Sequence, residues 1–495
     1  MASIPLSPDA PQVPGNSSEE TPELKGFKKI FRPFDKAEWK QFLNWLLIWI
    51  VLANIGFAAM WFIGAPPRRP EIYAAGAIGL IVRRMPVWVQ CVAFLVSMIY
   101  SILGFVAGLF NLALGSLIHS IKFFLEINPA NSVEYLVGAG LLVTIAGLAM
   151  WLMRRPKAFN DIRLVLLAIL ATMTLAKIDG QMGKGMRGHY KRAAVEGTPF
   201  VSAQGLAGFA AIPAAGEPKR NLILIMVESL GTPVGNAEME RMLFARYNTP
   251  AIADRFEVKT GNTTYFNSTT AGEMRELCGR WGDYDEVMEG ADTSCLPARL
   301  AKAGYETRAY HSFTGAFFDR ATWYPNIGFQ EQQFAEELLA RGTRECGGVF
   351  PGACDRDVPA LIAKDLKAAD KPQFLYWLTV NSHLPVPPGM NLEVDNCETH
   401  SAILAADFPM ICRQFALWNQ MDDAIIREIT AADFPETDIL IVGDHMPPYY
   451  DRHHRSQFAP DTVPYLLLKW KGDGSAKSAS DDLVTAQGDS DGADG

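Results

Sequence analysis

Residues 41–63 (QFLNWLLIWIVLANIGFAAMWFI) form an apolar run without one charged side chain. At about 1.5 Å of helical rise per residue such a run crosses about 30 Å of hydrocarbon, and Trp45, Trp49 and Trp61 are placed to meet its interfaces. A second charge-free stretch separates Arg84 from Lys122, long enough for two tightly connected spans or for one span and a helix lying in the interface. Residues 134–153 and 162–176 are further apolar runs, and 71–82, between Arg68, Arg69 and Arg83, Arg84, is a rival short span. Lys25, Lys28, Lys29, Arg32, Lys36 and Lys40 precede the first run, and Arg154, Arg155, Lys157 and Arg163 lie between the last two. Basic segments stay cytoplasmic, so the number of crossings is odd, about five on the positive-inside rule. Everything after residue 180 is then expected outside the inner membrane.

Beyond residue 220 the pattern changes to short apolar runs. NLILIMVE (221–228), ETRAYHS (306–312), QFLYWLTVNSH (373–383), DILIVGDH (438–445) and VPYLLLKW (463–470) read as strands. They alternate with helical stretches at 249–256, 357–369 and 414–432, the pattern of an α/β sheet covered on both faces. The expected organisation is a cytoplasmic tail (1–40), a transmembrane helical bundle (41–180), a basic, Gly-rich connector (181–219), an α/β domain (220–472) and an acidic tail (473–495). Residues 1–24 of the first tail and the acidic tail read as disordered, and residues 1–24 lack the apolar core of a cleaved signal peptide. The net charge of −9 excludes a basic nucleic-acid-binding signature.

Cysteine usage agrees with this layout. Cys91 lies in the membrane half, whereas Cys278, Cys295, Cys346, Cys354, Cys397 and Cys412 fall in the exported half, an even number suited to an oxidising compartment. The close spacing of 346 with 354 and of 397 with 412 favours sequential pairing, which leaves 278 with 295.

Ligands of such sheets collect at the carboxyl ends of strands, where Glu228, His311, His383, Asp444 and His445 stand. A carboxylate ending an apolar strand either caps the next helix or holds a cation. Asp444-His445 is more specific, because two ligand types adjoin; adjacent side chains of a strand diverge, so a turn must begin there, which Gly443 eases. In NSTTAGEMRELCG (267–279), Thr269 and Thr270 precede a helical segment, and either hydroxyl could cap it with Glu273 or act as a nucleophile. A threonine hydroxyl is a weak nucleophile at neutral pH, and a neighbouring divalent cation activates it.

VESLG (227–231), TTAGE (269–273), SHLP (382–385) and GDH (443–445), in this order behind a multi-span region, resemble the alkaline phosphatase and sulfatase superfamily. More narrowly they resemble its membrane-anchored branch of lipoteichoic acid synthases, phosphoglycerol transferases and phosphoethanolamine transferases. The resemblance implies one Mn or Zn ion held by Glu228, Thr269, Asp444 and His445, with Thr269, matched first in the synthase pattern, as the nucleophile. It also implies that Phe318 and Arg320, in YHSFTGAFFDRATWYPNIGF (310–329), hold the headgroup, with Phe where the family has Trp. His383 and His453 or His454 match positions that contact phosphoryl oxygens or protonate the leaving group, and His311 is a further substrate-side candidate. An ordinary histidine pKa suits that proton transfer. His119, on a membrane segment, reads as interfacial. The implied activity is transfer of a phosphoglycerol or phosphoethanolamine headgroup from a phospholipid donor, through a phosphothreonine, to a glycan or lipid acceptor in the periplasm. A hydrolase and a non-catalytic scaffold are the alternatives; the C/S-x-P-x-R motif of formylglycine sulfatases is missing from residues 267–279.

Overall fold

A computed structural model describes residues 33–472 apart from 59–60, 62–66, 111–113, 115–116, 118–120, 155–157, 183–198, 211–218, 266–267 and 450–451. Residues 1–32, with Lys25, Lys28, Lys29 and Arg32, the acidic tail, Arg155, Lys157, His119 and much of the connector lie outside the described residues.

Five helices form the N-terminal bundle: α1 (Lys36–Phe57), α2 (Arg69–Val82), α3 (Val87–Phe110), α4 (Val133–Met153) and α5 (Ile162–Met182). Three described segments, Lys36–Phe57, Val87–Ala107 and Val133–Met153, are long and apolar enough to cross a membrane. Within the 84–122 stretch the described residues include one long helix, Val87–Phe110, and a short turn of helix begins at Ile121. α2 has 14 residues, about 21 Å at helical rise, and reverses the chain between α1 and α3. That reversal accounts for the arginines at both its ends. Arg68 donates its backbone N–H to Asp179 of α5 at 2.6 Å, whereas Arg83 stands 5.7 Å over the Phe159 ring and Arg163 4.5 Å over Phe34. Trp45 and Trp49 are a correction to the interfacial reading. Both are buried inside the bundle, Trp49 edge-on to Phe94 and Trp45 to Phe159, because α2 and α5 cover that side of α1.

The second half is built on strands β1 (Asn221–Val227), β2 (Phe256–Thr264), β3 (Glu306–His311), β4 (Glu331–Gln333), β5 (Glu345–Cys346), β6 (Gly352–Ala353), β7 (Gln373–Leu378), β8 (Thr437–Gly443) and β9 (Thr462–Trp470). Seven make a mixed sheet in the order β2-β9-β8-β1-β7-β3-β4, and β5 pairs with β6 apart from it. The run from β8 to β4 is parallel, with β9 antiparallel to β8. β1, β7 and β8 are covered on both faces, which is why they read as continuous apolar runs. β2 was not foreseen: FEVKTGNTT is a largely exposed edge strand, so it carries little apolar pattern. The three disulfides are Cys278–Cys295, Cys346–Cys354 and Cys397–Cys412, the sequential pairing expected from spacing.

Candidate active site

β1 and β8 are adjacent and parallel, with Val227 in register with Gly443. The next residues, Glu228 and Asp444, therefore leave the sheet side by side at its carboxyl edge. Ligand atoms of Glu228, Asp444 and His445 all lie within 4.8 Å of one another, and all three side chains are buried. Thr269 reaches them from the helix Thr269–Glu273, its Oγ1 at 3.2 Å from Glu228 Oε2 and 3.4 Å from His445 Nε2. The Thr270 hydroxyl points elsewhere, to Ser268 Oγ at 3.2 Å and to Asp283. Of the two threonine hydroxyls, that of Thr269 faces Glu228 and His445.

Several contacts hold this arrangement. Ser229 sits in left-handed backbone (φ 57°), a conformation costing about 1–3 kcal/mol, which lets its N–H reach Asp444 Oδ1 (2.8 Å) and its hydroxyl reach Glu228 Oε1 (2.8 Å). From the neighbouring β7 side, Thr379 Oγ1 accepts the Glu228 N–H and the Ser382 hydroxyl donates to the Glu228 carbonyl. Gly443 serves close approach more than turning: a Cβ there would stand 2.0 Å from the Leu230 carbonyl oxygen. A Cβ at Gly272 would meet the Asp444 main chain at 3.1 Å, so the nucleophile helix lies directly against the ligand strand.

The donor set fits a divalent cation. His445 Nδ1 bonds the Met446 carbonyl at 2.9 Å, which leaves Nε2 as the lone-pair nitrogen facing Thr269. Asp444 Oδ1 accepts two backbone N–H groups, while its buried Oδ2 has no hydrogen-bond partner. Burial and the neighbouring Glu228 push the Asp444 carboxyl up to about 7. His445 is raised because Asp444 and Glu228 outweigh its own burial. Glu228, Asp444, His445 and Thr269 are the residues that would hold the ion.

The remaining candidates are arranged differently from the sequence reading. Arg320 is 1% exposed and its donors are committed: Nε and Nη2 to Glu273 (3.1 and 2.8 Å to Oε2) and Nη1 to the Phe317 carbonyl. Glu273 also accepts from the Tyr324 and Tyr376 hydroxyls, so it stabilises a buried ion pair and does not cap its own helix. Phe318 packs on Phe123, Tyr284 and Phe317. His311 is buried, bonds the Leu378 carbonyl through Nδ1, and is held well below the usual histidine range by burial and by Arg320. His383 bonds the Leu384 carbonyl and lies 3.9 Å from the Phe350 ring. Burial and the charge of His445 lower it to about 4, so the ordinary pKa expected of it is not found. His453 and His454 stand on the turn Arg452–Arg455 with their rings against Phe408, and His454 also against Tyr449.

Two residues were missed. Arg275, fully buried, pairs with Glu276 at 2.6 Å and donates to the carbonyls of Asp444 (3.1 Å) and Gly443 (2.7 Å), clamping the nucleophile segment to the ligand turn. Ser229 is the other. Nothing in MRELC marked a buried arginine; the clue to Ser229 was its place between Glu228 and a glycine-ended turn.

A sequence model of the Sulfatase family matches residues 220–486, more than half of the chain. The chain belongs to the sulfatase family. The sulfatase domain covers the whole mixed sheet, and every residue of the cluster lies within it. A curated relative, the putative cyclic beta-1,2-glucan modification protein of Rhizobium meliloti (strain 1021), is 28% identical over 152 residues. That match covers 29% of this chain and 22% of the relative, about a fifth of its length. Among solved structures, the lipoteichoic acid synthase LtaP of Listeria monocytogenes is similar at 15% identity and TM-score 0.40, over 55% of this chain and 72% of that one. The phosphoglycerol transferase GacH of Streptococcus pyogenes is similar at 16% identity and TM-score 0.33, over 50% and 68%. The zinc complex of the C-terminal periplasmic domain of EcEptC from Escherichia coli is similar at 15% and 0.34, over 52% and 75%.

Proposed function

We propose that this sulfatase-family protein transfers the phosphoglycerol or phosphoethanolamine headgroup of a membrane phospholipid, through Thr269, to a hydroxyl of a periplasmic glycan or lipid. The observation that carries this reading is the Thr269 hydroxyl, 3.2 Å from Glu228 and 3.4 Å from His445, in a carboxylate-rich pocket behind three helices of membrane-spanning length. A Mn or Zn ion, when bound, supplies charge that favours the ionised threonine oxygen and neutralises the phosphoryl oxygens. The chain's own residues do the rest.

Thr269 Oγ1 attacks the headgroup phosphorus in line; one P–O bond forms to threonine and the P–O bond to diacylglycerol breaks. The proton given up by the hydroxyl ends on the diacylglycerol oxygen. We assign its passage to His383, whose Nδ1 bonds the Leu384 carbonyl and whose lowered pKa favours giving the proton up to the leaving oxygen. An acceptor hydroxyl then attacks the phosphothreonine and releases Thr269. Arg320, tied to Glu273, fixes the helix Thr269–Glu273 in place of direct headgroup contact. A glucan hydroxyl is one acceptor, in keeping with the name of the curated relative. We place the catalytic half in the periplasm and all five helices of the bundle in the inner membrane, with the basic turns after α2 and α4 on the cytoplasmic side.

The test uses the full chain in detergent with fluorescent phosphatidylglycerol or phosphatidylethanolamine, given separately. Diacylglycerol release with one donor, and an intact-mass increase on the protein equal to that headgroup phosphate, are expected. Release that persists undiminished in Thr269→Ala would sink the mechanism, and release without transfer to any added glucan or lipid would make the protein a phosphodiesterase.

A further inference from the structure

A phospholipid whose acyl chains stay in the bilayer must still bring its phosphate ester to Thr269, so its glycerol and upper chains need an apolar path off the membrane surface. This structure contains a continuous line of aromatic rings in that direction. The segment joining α3 to α4 docks on two loops of the sulfatase domain, 313–319 and 347–350. Lys122 Nζ pairs with Asp319 at 2.6 Å, the Asn128 N–H donates to the Val349 carbonyl at 2.7 Å, and Asn131 Nδ2 donates to the Gly348 carbonyl at 2.8 Å. Between these bonds the Phe123 ring sits 5.7 Å from Phe317 and 5.3 Å from Phe318. Phe317 lies 5.5 Å from Phe350, and Phe350 lies 3.9 Å from His383, which senses the charge of His445 and Asp444. Rings therefore run without a break from the segment between two membrane-length helices to the neighbour of the metal ligands.

The exposure pattern separates two roles. Phe123 and Phe313 are 5% and 2% exposed and act as pegs, whereas Phe317, Phe318 and Phe350 are half-buried and present a face. The loop is also held in a costly shape. Phe318 and Asp319 are consecutive non-glycine residues at φ 56° and 52°, each costing about 1–3 kcal/mol. Lys122, the Arg320–Glu273 pair and a Trp323 Nε1 bond to the Phe318 carbonyl hold them there.

We propose that Phe317, Phe318 and Phe350 bind the upper acyl carbons of a glycerophospholipid donor, with Phe123 of the membrane half as the residue that positions them. The inference rests on headgroup transfer and deepens it: the membrane half supplies part of the donor site as well as an anchor. The occupant is diacylglycerol, because the face is apolar, starts at the bundle and stops where the phosphate ester would be cleaved.

The full chain is assayed in mixed micelles with two donors of the same headgroup, one dioleoyl and one the deacylated glycerophosphodiester, for wild type, Phe317→Ala, Phe317→Leu and Phe123→Ala, with bound metal quantified. Phe317→Ala and Phe123→Ala should raise KM for the dioleoyl donor about tenfold, the scale of losing part of one buried phenyl. Their kcat and metal content should stay within about twofold, the deacylated donor, which has no acyl carbon to meet the rings, should be turned over as in wild type, and Phe317→Leu should recover most of the loss. Parallel losses on both donors, or no change on either, overturn the proposal and leave the rings as interdomain packing. Wild type that cleaves neither donor ends the headgroup-transfer reading itself, and this inference with it.

Discussion

At the scale of single residues, chemistry converges on one oxygen, and the two threonines separate the roles. Thr269→Ala should reduce diacylglycerol release to background, whereas Thr270→Ala, which loses contacts only to Ser268 and Asp283, should keep activity within about tenfold. Equal loss in both variants, measured as initial rates, would refute that separation. Arg275 should matter through the ligands. Its guanidinium bonds two carbonyls at the Gly443-Asp444 turn, a geometry that an ammonium does not reproduce. Arg275→Lys should weaken Zn or Mn binding about 10–100-fold, as loss of a group supporting a metal ligand commonly does. Titration calorimetry at fixed pH would show it, and unchanged affinity in a destabilised protein would reduce Arg275 to a packing role. Glu228, Asp444 and His445 could be picked out from the chain because each interrupts or ends an apolar strand. Arg320 was legible as important but not in its partner, since only the fold brings Glu273, 47 positions away, against it.

At the scale of elements, apolar runs reported what they were buried against. β1, β7 and β8 were readable because both their faces are covered, while β2 was not, because an edge strand with one wet face resembles a loop. The helix Pro409–Ile429 shows what burial costs. Its Asp422 is buried against the Tyr247 hydroxyl (2.9 Å), and burial pushes its carboxyl up to about 7. Unfolded, the group titrates near about 3.9. The folded state therefore binds the proton more tightly, and the associated stability is full below about pH 4 and is lost as pH rises through about 7. Asp422→Asn keeps an acceptor for Tyr247 and should raise Tm more at pH 8 than at pH 5. Thermal melts at both values check this, and a larger gain at pH 5 would contradict the sign.

At the scale of the whole molecule, two folding units meet over the site. Without a cation, Glu228 and Asp444 crowd negative charge in a buried pocket, so stability should depend on metal. Chelation should lower the Tm of the sulfatase domain, and Mn or Zn should restore it by about 2.7 kcal/mol at a hundredfold excess over Kd. Calorimetry of the detergent-solubilised chain measures it; no shift at millimolar metal would argue against the site. A separate expectation concerns Cys397–Cys412, which closes a loop at sequence separation 15 and should contribute about 3 kcal/mol, lost on reduction.

Hydrophobic patterning alone settled that an apolar helical bundle precedes an α/β domain, because period and run length follow directly from which faces must leave water. It also brought out the strand-end ligands, since a charge placed where an apolar strand stops is visible without any fold. Tertiary structure alone decided which threonine faces Glu228 and His445, which partner Arg320 takes, that Arg275 bonds the Gly443 and Asp444 carbonyls, and that Phe123 packs on Phe317 and Phe318. Each of these depends on residues far apart in the chain, and neither composition nor periodicity carries information about which distant side chains a folded core brings together.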